Sequence, residues 1–503
     1  MRPIKEIKKS LNSFLVSCLL FSSYFSYSQE LSALVLDSLN QKPIPFASIY
    51  LKSGSGAVSN EEGRFRLRYK AEEVLKDSLF ISCMGYKTLS LSLDQLQDSI
   101  FYLPPKAIAL NSVILSNKQL SADEIVKAIQ EDIPQKYELG LTEKKVFFRE
   151  TGNSKFEKLN LNIKKTTIEE FNQVFWDSIF RKIPKTNEWY QEFAGTLYGD
   201  YTEDNQKMEL DKALDLEDKE KSAIFKNTEQ LFDTIIKENV KSTSYFKVRS
   251  GIIGTKLDTD EINSAKQDTL SAEEKELHRK KDFLSWKKSK LTNLLKNLFK
   301  EHELNISILN KASKYNFTVN NLTFFGDTPV YILDFSPKRN ADFAGRLFVD
   351  ADRLALIRLE YKNIQNISDF SLLGVSYLED LKEVIVQFKK GLNGKYSAEY
   401  LEFNSGFKGG FERPLVITEK NKVVKGRNKQ NQLKMDLDIA TRQYQKYQLV
   451  VFETTPISQE AFDAIKEEPK VLPVNLSEYD PNFWEGYSII EPNKAIKAFK
   501  VVE

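Results

Sequence analysis

Ser59-Asn60-Glu61-Glu62-Gly63-Arg64-Phe65-Arg66-Leu67-Arg68-Tyr69 decides how the head of this chain folds. Arg64, Arg66 and Arg68 alternate with Phe65, Leu67 and Tyr69, the period of two that marks a half-buried antiparallel strand. Asn60 to Gly63 reads as the turn that feeds it, with Gly63 free to take positive φ. On either side the pattern repeats. Ala47, Ile49 and Leu51 share one strand face, and Gly54 and Gly56 mark a turn. Leu79 to Ser82 is a strand ended by Gly85, and Leu89, Leu91 and Leu93 give another. Several short strands with turns between them, over residues 30–103, predict a small β-sandwich. Phe65, Leu67, Leu79 and Ile81 are its expected inward residues.

Three blocks in this region carry a family resemblance: Pro43-Ile44-Pro45-Phe46-Ala47-Ser48-Ile49, Ser59 to Phe65, and Ser82-Cys83-Met84-Gly85-Tyr86. In order and spacing they resemble the carboxypeptidase-regulatory-like domain. The resemblance implies a seven-stranded, transthyretin-like sandwich, of the kind found at the start of many Bacteroidota envelope proteins. Its motif residues serve turns and core, so no catalytic role follows from it.

Before the sandwich, residues 1–28 read as a secretory signal. Arg2, Lys5, Lys8 and Lys9 form a basic head, Leu11 to Phe25 is mostly apolar, and Ser26-Tyr27-Ser28 offers small residues for cleavage before Gln29. Leu15-Val16-Ser17-Cys18 loosely matches a lipoprotein box, but the apolar run continues past Cys18, so a start at Gln29 is expected. Removing four bases and Glu6 takes the net charge of +2 to −1, and leaves Cys83 as the mature chain's single cysteine, with no internal disulfide. No later segment resembles a membrane helix.

After the sandwich, Pro104-Pro105 marks a boundary, and 104–144 reads as a linker with a helix over 121–133. Ser121 and Glu124 form its capping box and Pro134 stops it. From 145 to 455 a larger antiparallel β domain is expected, with helical inserts near 220–240 and 271–304. Its clearest strands are Val330 to Phe335, a hairpin turning at Asp350-Ala351-Asp352-Arg353, and Val384 to Phe388, Tyr396 to Phe403, Lys434 to Ile439 and Tyr447 to Phe452 as a meander. The rhythm of Phe335 to Lys338 and Ala344 to Asp350 is similar to the half-barrel of periplasmic lipoprotein carriers, which implies a curved sheet. The tail, 456–503, is expected to pack on that sheet, with Tyr479 to Trp484 as an aromatic clasp. The fold class is therefore mainly β with helical inserts.

Composition narrows the chemistry. The 503 residues carry 73 basic and 71 acidic side chains, so no global field attracts nucleic acid. The two imidazoles, His278 and His302, open no H-x-x-E or H-E-x-x-H motif. Both are expected to face solvent. Gly54-Ser55-Gly56 lacks a nucleophile elbow's context. Cys83 reads as a buried, inert thiol, and Asp350 and Asp352 as turn residues. Lys287, Lys288, Lys290, Lys296 and Lys300 beside the leucine stripe of the second insert read as solvated lysines on a packed helix, or else as an amphipathic surface for anionic headgroups. No catalytic, cofactor-binding or metal-binding residue is assigned.

The reading is a non-enzymatic binding or scaffolding protein in the periplasm at the outer membrane. Its expected partners are an envelope protein or outer-membrane component, with lipid or glycan open and nucleic acid not expected. Two alternatives stand: a carrier holding an acyl chain in a half-barrel cavity, and a hydrolase with an unrecognised carboxylate site.

Overall fold

The computed structural model describes residues 28–52, 56–70, 77–95, 99–106, 120–202, 204–258, 271–423 and 428–501. Residues 1–27 of the signal segment, with Cys18, and Gly54-Ser55 lie outside them. Two compact units emerge: 1–105 with 484–491, and 106–483 with 492–503.

Among its described residues the first unit has seven strands: β1 (Ser28–Asp37), β2 (Ser48–Leu51), β3 (Gly56–Val58), β4 (Arg64–Lys70), β5 (Ser78–Ser82), β6 (Leu89–Ser92) and β7 (Ile100–Leu103). They form two sheets, ordered β4-β1-β7 and β3-β2-β5-β6. The expected inward residues are inward: Phe65, Leu67, Leu79 and Ile81 are all buried in one core with Val35, Ile49, Phe101 and Leu103. Phe65 stacks on Phe101 with centroids 6.1 Å apart. Gly63 takes φ +73°, and a Cβ there would sit 2.6 Å from the Val35 carbonyl oxygen. The turn is fixed by Asn60, whose Oδ1 accepts from the amides of Glu62 and Arg64, both at 2.9 Å.

The second unit begins with α1 (Ala122–Ile129), whose Ser121–Glu124 capping box is present. The helix expected over 121–133 is shorter, and a second, α2 (Ile133–Lys136), follows it. Pro134 opens α2 rather than closing α1, because a first-turn residue needs no amide donor. Next come β8 (Thr142–Thr166), α3 (Gln173–Lys182), β9 (Thr186–Gly199), β10 (Gln206–Leu216), α4 (Lys219–Asn239), β11 (Ser244–Ser250), β12 (Ile253–Asp258) and α5 (Ala272–Lys296). A small hairpin, β13 (Phe299–Lys300) and β14 (Glu303–Leu304), ends the second insert, so Phe299 is not helical. Then follow α6 (Ser307–Asn310), β15 (Tyr315–Phe325), β16 (Thr328–Pro337), β17 (Phe343–Asp350), β18 (Leu356–Asn363), β19 (Ser368–Leu372), β20 (Val375–Lys390), β21 (Tyr396–Asn421), β22 (Lys429–Pro456), α7 (Gln459–Ala464), β23 (Val474–Leu476) and α8 (Lys494–Lys497).

One curved sheet runs β15-β16-β17-β18-β20-β21-β22-β8-β9-β10-β23, with β11, β12 and β19 attached beside β20 and β21. Every pairing along it is antiparallel except β10 with β23. The meander is simpler than expected. Lys434–Ile439 and Tyr447–Phe452 are two parts of the single strand β22, because Ala440 to Lys446 lacks any Gly or Pro to turn the chain. The tail also differs. Its early part stays on the sheet, where Lys207 Nζ donates to the Phe462 and Ile465 carbonyls at 2.7 and 2.9 Å. Trp484 to Glu491 belongs instead to the first unit. There Asn60 Nδ2 donates to the Glu491 carbonyl at 3.1 Å, and Trp484, Ile489 and Ile490 are buried. An apolar trio of this size gains more from burial than from a place on the rim of a polar sheet face.

Candidate functional site

The residues that sequence reasoning weighed for chemistry do not come together. His278 is exposed on α5, 3.6 Å from Asp282, and His302 is exposed in the β13–β14 turn. Cys83 lies just past β5, half-buried against the sandwich core. Asp350 is fully buried and serves its turn as expected. Its Oδ1 accepts from the amides of Asp352 and Arg353 at 2.9 and 3.0 Å, and its Oδ2 accepts from the Tyr396 hydroxyl at 2.7 Å. Among the described residues, no group of three His, Cys, Asp or Glu side chains is placed to hold a metal ion.

One concentration of buried and half-buried charge lies beneath α5. Leu284, Leu291, Leu294 and Leu295 are buried along one helix face, and α5 packs on β10. Lys287 falls on that same face, three residues after Leu284 and four before Leu291. Its side chain is 1% exposed. Its Nζ donates to Gln191 Oε1, and Gln191 Nε2 in turn donates to Asp215 Oδ1 at 2.6 Å. The ammonium also lies 4.1 Å from the centroid of Trp286, which is 50% exposed. One turn further, Lys290 Nζ donates to Glu150 Oε1 at 3.2 Å and lies 4.0 Å from the Tyr447 ring centre. Gln445 Nε2 donates to the same Glu150 oxygen at 3.1 Å.

Strand register explains why these groups converge. Glu150 on β8 stands opposite Gln191 on β9 and Tyr447 on β22, so all three point to the face that α5 covers. Burial pushes the Lys287 ammonium down to about 8, despite the opposing pull of Glu150 and Asp215. Burial raises Asp215, partly offset by the Gln191 hydrogen bond and Lys287. Burial raises the Tyr447 phenol as well.

The expectation of solvated lysines is therefore corrected at Lys287 and Lys290, which turn inward to carboxylates and rings. Lys288 reaches Glu467 at 2.8 Å, and Lys300 stays exposed. Lys287 and Lys290 are thereby taken out of any surface for anionic headgroups. The missed signal was the position of Lys287 in the stripe 284–287–291–294, where a buried lysine demands partners. Chemically, the cluster is an ion-pair and amide network that fixes α5 to the sheet.

The sandwich's motif residues are likewise structural. Ser59 Oγ accepts from the Ala47 amide at 2.8 Å and donates to the Ile44 carbonyl at 2.9 Å. The Tyr86 hydroxyl donates to Asp37 Oδ2 at 2.9 Å. Burial, with Asp37 beside it, pushes that phenol up to about 12.

No curated protein matches the chain. Two solved structures align with it: MucB in complex with MucA(peri), at 8% identity, and the Pseudomonas aeruginosa MucA/MucB complex, at 7%. Each alignment covers 63% of this chain, and 93% and 91% of the chains it matches there, with a TM-score of 0.14. At that score the likeness carries no argument. No helix among the described residues is long and apolar enough to cross a membrane. Residues 32–115 match the CarboxypepD_reg-like domain family, so the seven-stranded sandwich at the head of the chain is a carboxypeptidase-regulatory-like domain.

Proposed function

We propose that the protein is exported and acts as a non-enzymatic binding or scaffolding component of the cell envelope, in the periplasm at the outer membrane. The observation that carries this reading is the regulatory-type sandwich, whose motif residues Ser59, Asn60, Gly63 and Tyr86 are spent on turns and internal bonds. The larger unit supports it in the same way. Beneath α5, Lys287 and Lys290 are engaged with Gln191 and Glu150, and that sheet face is filled by leucines and lysine stems, which favours a scaffold over an acyl-chain carrier. The basic head and small-residue cleavage site of 1–28 support export.

The test is fractionation of cells producing the full chain, followed by N-terminal sequencing and pull-down from the envelope fraction. The expected result is a periplasmic or outer-membrane protein starting at Gln29 that retains an envelope component through washing. Recovery from the cytosol with Met1 intact overturns the export. Turnover of peptide or glycan substrates that is lost on changing a buried carboxylate overturns the non-enzymatic reading.

A further inference from the structure

Two hairpins attach, through β11 and β20, to the same edge of β21 and meet turn to turn. β20 pairs with residues up to Phe411, and β11 pairs from Val416 onward. Between them sits Arg413, whose Nε and Nη2 donate to the Oγ and carbonyl of Ser250 at 2.7 and 2.8 Å. A Cβ on Gly374 would lie 3.0 Å from Arg413 Cγ, and the Glu412 amide donates to the Gly374 carbonyl at 2.6 Å. The two turns, Gly251-Ile252 and Leu373-Gly374, therefore converge on one arginine.

Both turns carry aliphatic side chains into solvent. Ile252 is 95% exposed, and Ile253, Leu372 and Leu373 are each about 60% exposed. Leu373 sits at φ +51°, where a branched side chain is disfavoured and Asn or Gly is the usual choice. Hydration and backbone conformation both oppose a leucine here. Local rules broken without an internal gain point to a role outside the monomer.

The outer strands of the two hairpins, β19 and β12, form a broken but collinear edge. Both run parallel to β21, and neither pairs with a second described strand. Their apolar faces also agree. Leu372 stands opposite Val375, and Val375 opposite Phe411; Ile253 stands opposite Ser250, on the Leu415 side of the sheet. Positions 411 and 415 share a face. An open edge of this kind, with no proline and no bulge, is a template for another strand.

We propose that this edge pairs with the same edge of a second copy, antiparallel, about a two-fold axis through the junction of the two turns. The symmetry fixes the register. Residue 372 − k of one copy meets 253 + k of the other, so Leu372 faces Ile253 of its partner and Phe370 faces Thr255. Asp369 then faces Lys256, an opposite-charge match made twice per dimer. Both side chains are exposed in the monomer, with Asp369 touching Asn366 Nδ2 at 3.4 Å and the Lys256 ammonium 4.7 Å from the Tyr245 ring.

The backbone parity fits as well. In a two-residue hairpin the residues flanking the loop bond each other, so Leu372 and Ile253 bond inward, and their neighbours Ser371 and Gly254 present outward groups. In the proposed register Ser371 meets Gly254, and Asp369 meets Lys256. Outward groups thus meet outward groups at every step. Ile252 and Leu373 of both copies gather at the axis, where their exposure ends.

Sedimentation of the full chain with exposed charges swapped tests this. The parent is expected to be a concentration-dependent dimer. K256E and D369K alone should each weaken dimerisation about tenfold, by setting like charges opposite one another, and the two together should restore it. Cysteines at Phe370 and Thr255 should link the two copies on a non-reducing gel, beyond any link the parent forms through Cys83. A monomer at all concentrations up to about 100 µM overturns the proposal. So does a dimer that neither responds to the charge swap nor cross-links at 370 and 255.

Discussion

Arg66 Nε lies 2.6 Å from Glu491 Oε1, a charged hydrogen bond between residues 425 apart in the chain. Arg66 also lies 3.5 Å from Glu30, so the arginine on the outer face of β4 joins the first strand of the sandwich to the returning segment. Glu491→Ala removes one side of a mostly buried pair and leaves Arg66 with the more distant acid. Stability of the first unit should fall by about 1–3 kcal/mol. Urea unfolding of the full chain, followed through Trp484, measures it; an unchanged midpoint would show the contact to be idle.

The sandwich core gives a larger effect. Phe65 is buried beside Phe101, and Phe65→Ala should cost about 3–5 kcal/mol through lost burial and the cavity left behind. Gly63→Ala fails for a different reason, because its Cβ meets the Val35 carbonyl and its φ is positive. Calorimetry should show the first transition shifted down in both variants and the second unit's transition in place.

Lys287 makes stability depend on pH. Its ammonium titrates near 8 in the folded protein, whereas the unfolded chain holds that proton to about 10.5. Between those values the unfolded state binds more protons, so stability rises with pH, by up to about 1.4 kcal/mol per unit. Below pH 8 both states are charged and the burial penalty is felt in full. Lys287→Met should reduce the slope measured by denaturant unfolding between about pH 8 and 9.5, where buried Lys144, also pushed down to about 8, supplies the remainder, and below the range where the raised Tyr447 phenol acts in the opposite sense. An unaltered slope would mean that Lys287 stays charged throughout.

Tyr396→Phe leaves Asp350 Oδ2 without its hydroxyl donor in a buried place. The loss should be about 1–3 kcal/mol, read as a lower urea midpoint of the larger unit. Tyr137→Phe, which removes a hydroxyl donated to the Leu356 carbonyl at 3.0 Å, is the comparison that keeps the aromatic packing but spares the carboxylate. It should cost less.

The sandwich was legible because its information is local. Arg64 to Tyr69 alternate strictly, and Gly63 announces the turn before them. The long strands were less so. β22 keeps pairing through Arg442, Gln443 and Gln445, which are polar on both faces and carry no alternation that marks a strand. Its true continuity depends on β8 and β21, which lie far away in sequence. The cluster under α5 hid for a related reason. A lysine in a lysine-rich helix looks solvated until Gln191, Asp215 and Glu150 are brought beneath it by strand register. The reach of Glu491 back to Arg66 has no local sign at all.

That reach also sets an order of events. A ribosome adding about 5–20 residues per second needs roughly 20–85 s to go from Arg66 to Glu491. For most of that interval, from Leu103 onward, strands β1 to β7 have been made but the closing segment has not, and the sites for Trp484, Ile489 and Ile490 stand unfilled. Closure of the first module is thus a late step, taken only after nearly all of the second has been made. A chain broken off anywhere upstream of Trp484 carries a sandwich that lacks this segment, whatever the state of the second unit.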